Sequence, residues 1–248
     1  MIKNTRMILF LFLSVFIMVG TAMATPTVDD GIFSLTEWAG HYADDDGVNS
    51  GGYLNPGWGG QSYDVEYLGL HLDSSTVYFG LQTGFDLKNG TTAFGPGDFA
   101  LDIDGGAYDY AIDFAITNSN VTYTLVDMTN ATWDDVFYSQ HSEANPYQAV
   151  YTSNDVIAQF SINNAFGSGE YDSNSDGGTS YVLEGSFALS NLTAYTGGPM
   201  TLHWTMECGN DYLDVTSSPV PEPATLFLLG TGLIGLAGFG RKKLFKKL

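Results

Sequence analysis

The chain has 248 residues and a formal net charge of −20. The charge is unevenly placed: 27 of the 28 acidic residues fall between Thr25 and Val220, where Lys88 is the one Lys or Arg, so that stretch carries −26. Such a field repels nucleic acid and anionic lipid and attracts cations, which excludes DNA and RNA as partners.

At the N-terminus, Lys3 and Arg6 precede a 13-residue apolar run, Met7 to Val19, interrupted at Ser14, and Ala22-Met23-Ala24 follows. Basic, apolar and small-residue regions in that order predict a secretory signal peptide over residues 1–24, cut after Ala24. The run falls short of the ~20 residues that a spanning helix needs. Residues 25–219 are therefore expected to fold outside the cytoplasm as one domain. Cys208 is the single cysteine, so no internal disulfide is available there and the core must hold by burial alone.

Good helix formers are scarce in this stretch, and period-two alternation dominates it. Leu68, Leu70 and Leu72 alternate with Gly69 and His71; Val77, Phe79 and Leu81 follow the turn residues Asp73-Ser74-Ser75. The pattern returns at Phe99, Leu101, Ile103; at Tyr110, Ile112, Phe114, Ile116; and at Val121, Tyr123, Leu125. It returns again at Leu183, Gly185, Phe187, Leu189 and at Leu202, Trp204, Met206, Cys208. No amphipathic helix of useful length interrupts these runs. The expected fold is all-β: a single antiparallel two-sheet β-sandwich, jelly-roll-like.

Candidate chemistry begins with acids. In LDIDGGAYDY, Asp102 and Asp104 share the strand face opposite Phe99, Leu101 and Ile103, and the Gly-Gly bend returns Asp109 toward them. Oxygen ligands beside a flexible turn suit Ca²⁺ better than a transition metal, although a solvated acidic hairpin has the same pattern. A second candidate, Asp172, Asn174 and Asp176 before Gly177, has the spacing of a calcium loop, but its twelfth position is Leu183, with Glu184 one place late. Asp44-Asp45-Asp46 reads as a solvated loop. No other cofactor is indicated.

Catalytic groups are expected to be absent. His203 and Cys208 are five residues apart, which on a regular strand means opposite faces. Cys208 reads as a small buried residue before the turn Gly209-Asn210-Asp211. His41, His71 and His141 are dispersed, with no spacing of a zinc or copper site. Paired carboxylates of a glycosidase are not singled out among so many acids. Trp58, with Gly on both sides, and Tyr53 lie in GGYLNPGWGGQSY, where a ring either stacks on a sugar or folds over the end of the sandwich; Trp38 and Trp133 are expected in the core.

Several of these segments carry a resemblance. Asp29-Asp30-Gly31-Ile32 with Glu37-Trp38, then YDVEYLGLHLDSSTVYFGLQT, GDFALDID and YVLEGSFALSNL, resemble the order of elements in family 9 carbohydrate-binding modules and related DOMON-like β-sandwiches. The resemblance implies a sugar-binding surface, with extracellular polysaccharide as a partner and no catalytic machinery.

The tail is unlike the rest. Pro221-Glu222-Pro223 is followed by 17 uncharged residues, 224–240, and by Arg241, Lys242, Lys243, Lys246 and Lys247. As a helix the apolar run measures about 25 Å against a hydrocarbon core of ~30 Å, a marginal span, and its glycines weaken it further. The basic residues set the C-terminus in the cytoplasm and the acidic domain outside. Motif, transmembrane helix and basic tail over 220–248 resemble the PEP-CTERM sorting signal of Gram-negative bacteria that make exopolysaccharide. The resemblance implies an exosortase as partner, a transient anchor in the inner membrane, cleavage near Pro-Glu-Pro, and delivery to the cell surface or a biofilm matrix. The expected function is a non-catalytic structural or carbohydrate-binding protein; the alternative is a secreted polysaccharide-active hydrolase.

Overall fold

The computed structural model describes residues 25–45, 58–169, 178–219 and 231. The expected signal peptide, the Pro-Glu-Pro motif, the 224–240 span apart from residue 231, and the tail residues Arg241, Lys242 and Lys243 lie outside the described residues, as do Tyr53, Asp172, Asn174 and Asp176.

The alternating runs form strands: β1 (Tyr42–Asp44), β2 (Val65–Leu72), β3 (Thr76–Thr83), β4 (Phe99–Asp102), β5 (Tyr110–Thr117), β6 (Asn120–Asp127), β7 (Thr132–Asp134), β8 (Gln148–Val150), β9 (Val156–Ile162), β10 (Phe166–Gly169), β11 (Ser180–Ala188), β12 (Met200–Thr205) and β13 (Tyr212–Ser217). One sheet runs β1-β2-β3-β11-β10 and the other β13-β12-β4-β5-β6-β9, with β7 and β8 pairing separately. Neighbours in both sheets are antiparallel. The fold is an all-β, two-sheet antiparallel arrangement, and helix among the described strands is confined to short 3₁₀ turns.

Turn chemistry sets the registers. Asp73 Oδ1 accepts hydrogen bonds from the Ser75 and Thr76 amides, both at 2.7 Å, and closes the β2–β3 turn. Asn118, at φ 58°, makes the two-residue connection between Thr117 and Asn120, which pair across β5 and β6. Asn tolerates that left-handed conformation because its short polar side chain relieves little steric room and bonds locally.

Because successive strand residues face opposite ways, Leu68, Leu70, Leu72, Val77, Phe79 and Leu81 meet Phe99, Leu101, Ile112, Tyr123, Leu125, Leu202 and Trp204 in one buried layer. Phe79 packs edge-on against Phe99 and Tyr123, each with ring centroids 5.2 Å apart. Gly185 is required beside it: a Cβ there would come within 2.3 Å of Phe79 Cζ.

Both outer faces are partly covered. The segment before β1 lays Phe33 and Trp38 over the first sheet against Val182. The β7–β8 hairpin covers the second with Ala149, over Ala111 and Val126, and Trp133 packs there only half-buried. These covered faces and the strand ends hold the polar groups considered next.

Candidate functional site

The β4–β5 turn brings its three aspartates together. Asp102 Oδ1 accepts from the amides of Asp104, Gly105 and Gly106 at 2.9, 2.7 and 3.3 Å. Asp104 Oδ1 accepts from Gly106 at 3.1 Å, and Asp109 Oδ2 from Ile103 at 2.9 Å. One carboxylate oxygen from each of Asp102, Asp104 and Asp109 lies within 4.8 Å of the others. Two oxygens on a shared Ca²⁺ at ~2.4 Å can be at most ~4.8 Å apart, so the turn has the dimensions for such an ion. Burial, and then the charges of Asp104, Asp102 and Asp127, push the Asp109 carboxyl up.

A second acidic group escaped the sequence reading. Asp45, Asp64 and Asp211 come from three distant segments, and a ligand oxygen of each lies within 4.8 Å of the others. Asp45 is thus part of a packed carboxylate group rather than a purely solvated loop: its amide donates to Glu66 O at 3.2 Å. Asp64 and Asp211 are 2% and 0% exposed. Asp211 accepts from the Val65 amide at 2.7 Å and the Tyr212 amide at 2.8 Å, tying the start of β2 to that of β13. No spacing in the sequence announces a group assembled across 166 positions; the available signal was an Asp directly ahead of each of two strands.

Two further buried acids do structural work. Glu66 Oε1 accepts from Gln61 Nε2 and Ser180 Oγ, both at 2.5 Å, and Oε2 accepts from Gln82 Nε2. Glu184, the late acid of the second loop, stands on β11 beneath Trp38, whose Nε1 points at its Oε1 from 3.4 Å. Burial, with Asp30 nearby, pushes Glu184 up to about 9.

Trp58, flanked by glycines, is 41% exposed, and its carbonyl accepts from Asn210 Nδ2 at 2.8 Å. The ring is therefore only partly covered at the end of the sandwich.

No nucleophile and base come together among the described candidates. The strand β12 stops at Thr205, and Cys208, in the following turn, is buried, which pushes its thiol up to about 11. His203 instead has Nδ1 2.9 Å from Asp214 Oδ1 and Nε2 3.1 Å from Ala144 O, and is 1% exposed. Asp98 also stands beside a second acid, Asp113. Ala149 donates to Asp98 Oδ2 at 2.9 Å and Tyr151 donates to Asp113 Oδ2 at 2.5 Å. Burial first, then the Asp113 charge, push Asp98 up to about 8. The histidines are not all dispersed either: His41 and His71 are in contact.

Against known proteins, residues 219–242 match the family model of the PEP-CTERM protein-sorting motif. The tail carries a PEP-CTERM signal. That motif implies export, membrane-anchored processing and an exosortase as partner in a Gram-negative bacterium. No curated protein and no solved structure matches the chain.

Proposed function

We propose that the chain is an exosortase-processed protein of the cell surface or exopolysaccharide matrix, whose exported sandwich binds carbohydrate without cleaving it and is braced by Ca²⁺ at Asp102, Asp104 and Asp109. The PEP-CTERM tail carries the reading: it supports export and exosortase processing, and the compartment where extracellular polymers are laid down is the destination proposed for the domain. Trp58 supports the binding role: a ring 41% exposed on a glycine-flanked loop offers an apolar face to a sugar ring. The calcium role is supported by carboxylate oxygens within 4.8 Å in a domain of charge −26.

The competing reading, a polysaccharide hydrolase, has its best support in Asp98 and Asp113. A raised acid beside a carboxylate is what glycoside cleavage uses. Asp98, however, is 6% exposed and accepts from the Ala149 amide beneath the β7–β8 hairpin, which favours a structural role.

The two readings separate when the exported chain is incubated with the producing cell's own polymer. Sedimentation with the polymer, weakened by Trp58→Ala and with no release of reducing ends, is the expected result. Release of reducing ends that stops in Asp98→Asn would replace the binding reading with the hydrolytic one.

A further inference from the structure

His41 and His71 belong to neither aspartate group. His41 closes the segment that covers the first sheet; its carbonyl accepts from the Leu70 amide at 2.8 Å, which draws the segment along β2. His71 is on β2 itself, on the outer face between the core leucines Leu70 and Leu72. The two rings meet with centroids 4.3 Å apart and planes at 72°. His71 is 3% exposed.

Their nitrogens are the unusual feature. His41 Nε2 and His71 Nδ1 are both buried and neither has a hydrogen-bond partner. Buried polar atoms nearly always find one, so two bare imidazole nitrogens delivered to one place by separate segments call for a ligand. A proton does not meet the need. Burial pushes both rings down, and His41 adds to the effect on His71 while Asp73 opposes it. The neutral rings therefore keep lone pairs available. Tyr78 has its ring 5.7 Å from His71, and Asp73 Oδ2 accepts from the Tyr78 hydroxyl at 3.1 Å.

The geometry points to a binding site for a borderline divalent transition-metal cation, of the Zn²⁺ or Cu²⁺ class, held by His41 Nε2 and His71 Nδ1. Neutral imidazole suits these ions and not Ca²⁺, so the site is chemically distinct from the aspartate turn. Two nitrogens bound at ~2.0–2.1 Å must lie within ~4.2 Å of each other, a spacing compatible with ring centroids 4.3 Å apart. Among the described residues no Cys, Asp or Glu joins the two histidines in a group of three within 4.8 Å. Water fills the other positions, and Asp73, which accepts from Ser75, Thr76 and Tyr78, is not a ligand. The acidic domain raises the local concentration of cations around it.

The test is electron paramagnetic resonance of the untagged, exported chain with one equivalent of Cu²⁺, alongside thermal melting with Zn²⁺, both with Ca²⁺ in excess to occupy the oxygen sites. The expected copper spectrum shows coupling to two imidazole nitrogens, reduced to one or none in His41→Gln and in His71→Gln. Zn²⁺ at about one hundred times its dissociation constant should raise the melting temperature by several degrees in the unaltered chain and in neither variant. An all-oxygen copper spectrum, or a two-nitrogen spectrum and Zn²⁺ shift that survive both substitutions, overturns the proposal. Should either variant fail to fold by circular dichroism, the nitrogen count in the unaltered chain still decides: fewer than two nitrogens rules the site out.

Discussion

Trp38 lies flat across two glycines, Gly69 on β2 and Gly80 on β3, with its indole nitrogen aimed at Glu184. A Cβ on Gly69 would come within 2.5 Å of Trp38 Cε3, and one on Gly80 within 2.8 Å of Cζ2. Phe33 lies beside the indole, ring centroids 5.2 Å apart and planes at 8°, and its own ring would come within 3.1 Å of a Cβ on Gly80. The covering segment is thus seated by an aromatic ring in a slot that only glycine leaves open.

Gly69→Ala should therefore act through Trp38. Overpacking of a filled site costs about 1–3 kcal/mol, and the indole should shift toward solvent. Trp38→Ala, which empties the slot, should cost about 3–5 kcal/mol. Urea unfolding gives the stabilities, and a red-shifted tryptophan emission in Gly69→Ala reports the displaced ring. Unchanged emission would mean that the slot accepts a methyl group.

Glu184 sets a pH dependence of definite sign. Its folded-state pKa is raised from 4.5 to about 9, chiefly by burial. Below the unfolded value both states are protonated and the full contribution is present. Between the two values only the unfolded state releases the proton, so stability falls as pH rises and the loss is complete near the folded value. Glu184→Gln should flatten that decline and leave the protein more stable than the unaltered chain at pH 8. Asp98→Asn should act in the same direction over the narrower range up to about 8. Urea midpoints from pH 5 to 9 check both, and parallel curves would contradict them.

The aspartate turn predicts a cation-specific melting shift. Ca²⁺ bound only by the folded state at one hundred times its dissociation constant adds about 2.7 kcal/mol, a rise of several degrees. Asp102→Asn with Asp104→Asn should remove it. Mg²⁺ at equal ionic strength is the control for general screening of the −26 charge. Equal shifts with both ions that persist in the double variant would leave screening as the whole effect.

Much of the fold was legible because period two is a local property. Leu68 to Leu72, Val77 to Leu81 and Val121 to Leu125 show it directly, and the turn residues Asp73 to Ser75 mark where the first two runs reverse. The Asp102–Asp104–Asp109 turn was legible for the same reason, since a hairpin keeps sequence neighbours together. The edge strand β9 was harder: its side chains alternate between half-buried and exposed, so the apolar contrast is weak. Groups assembled from distant segments left little trace beyond the Asp ahead of β2 and of β13. Asp45, Asp64 and Asp211, or His41 and His71, meet only because β1, β2 and β13 are neighbours in space, and no spacing rule encodes that. Glu184 was visible as a near-miss to a calcium loop, whereas its place under Trp38 required the covering segment to be seen.

Replacing Pro221, Glu222 and Pro223 together with Ala should leave export intact, because residues 1–24 are unchanged, and should hold the protein in the membrane fraction with its tail uncut. Cell fractionation with an antibody to the exported domain reads the outcome. Release equal to that of the unaltered chain would remove the motif from the sorting step.

The most direct measurement is the intact mass of the chain recovered from the surface of the cells that make it. The expected species begins at Thr25 and ends near Pro221–Pro223, having lost residues 1–24 and the apolar and basic tail, with any added mass at the new C-terminus marking its attachment. A recovered chain that still carries the tail through Leu248 would contradict the account.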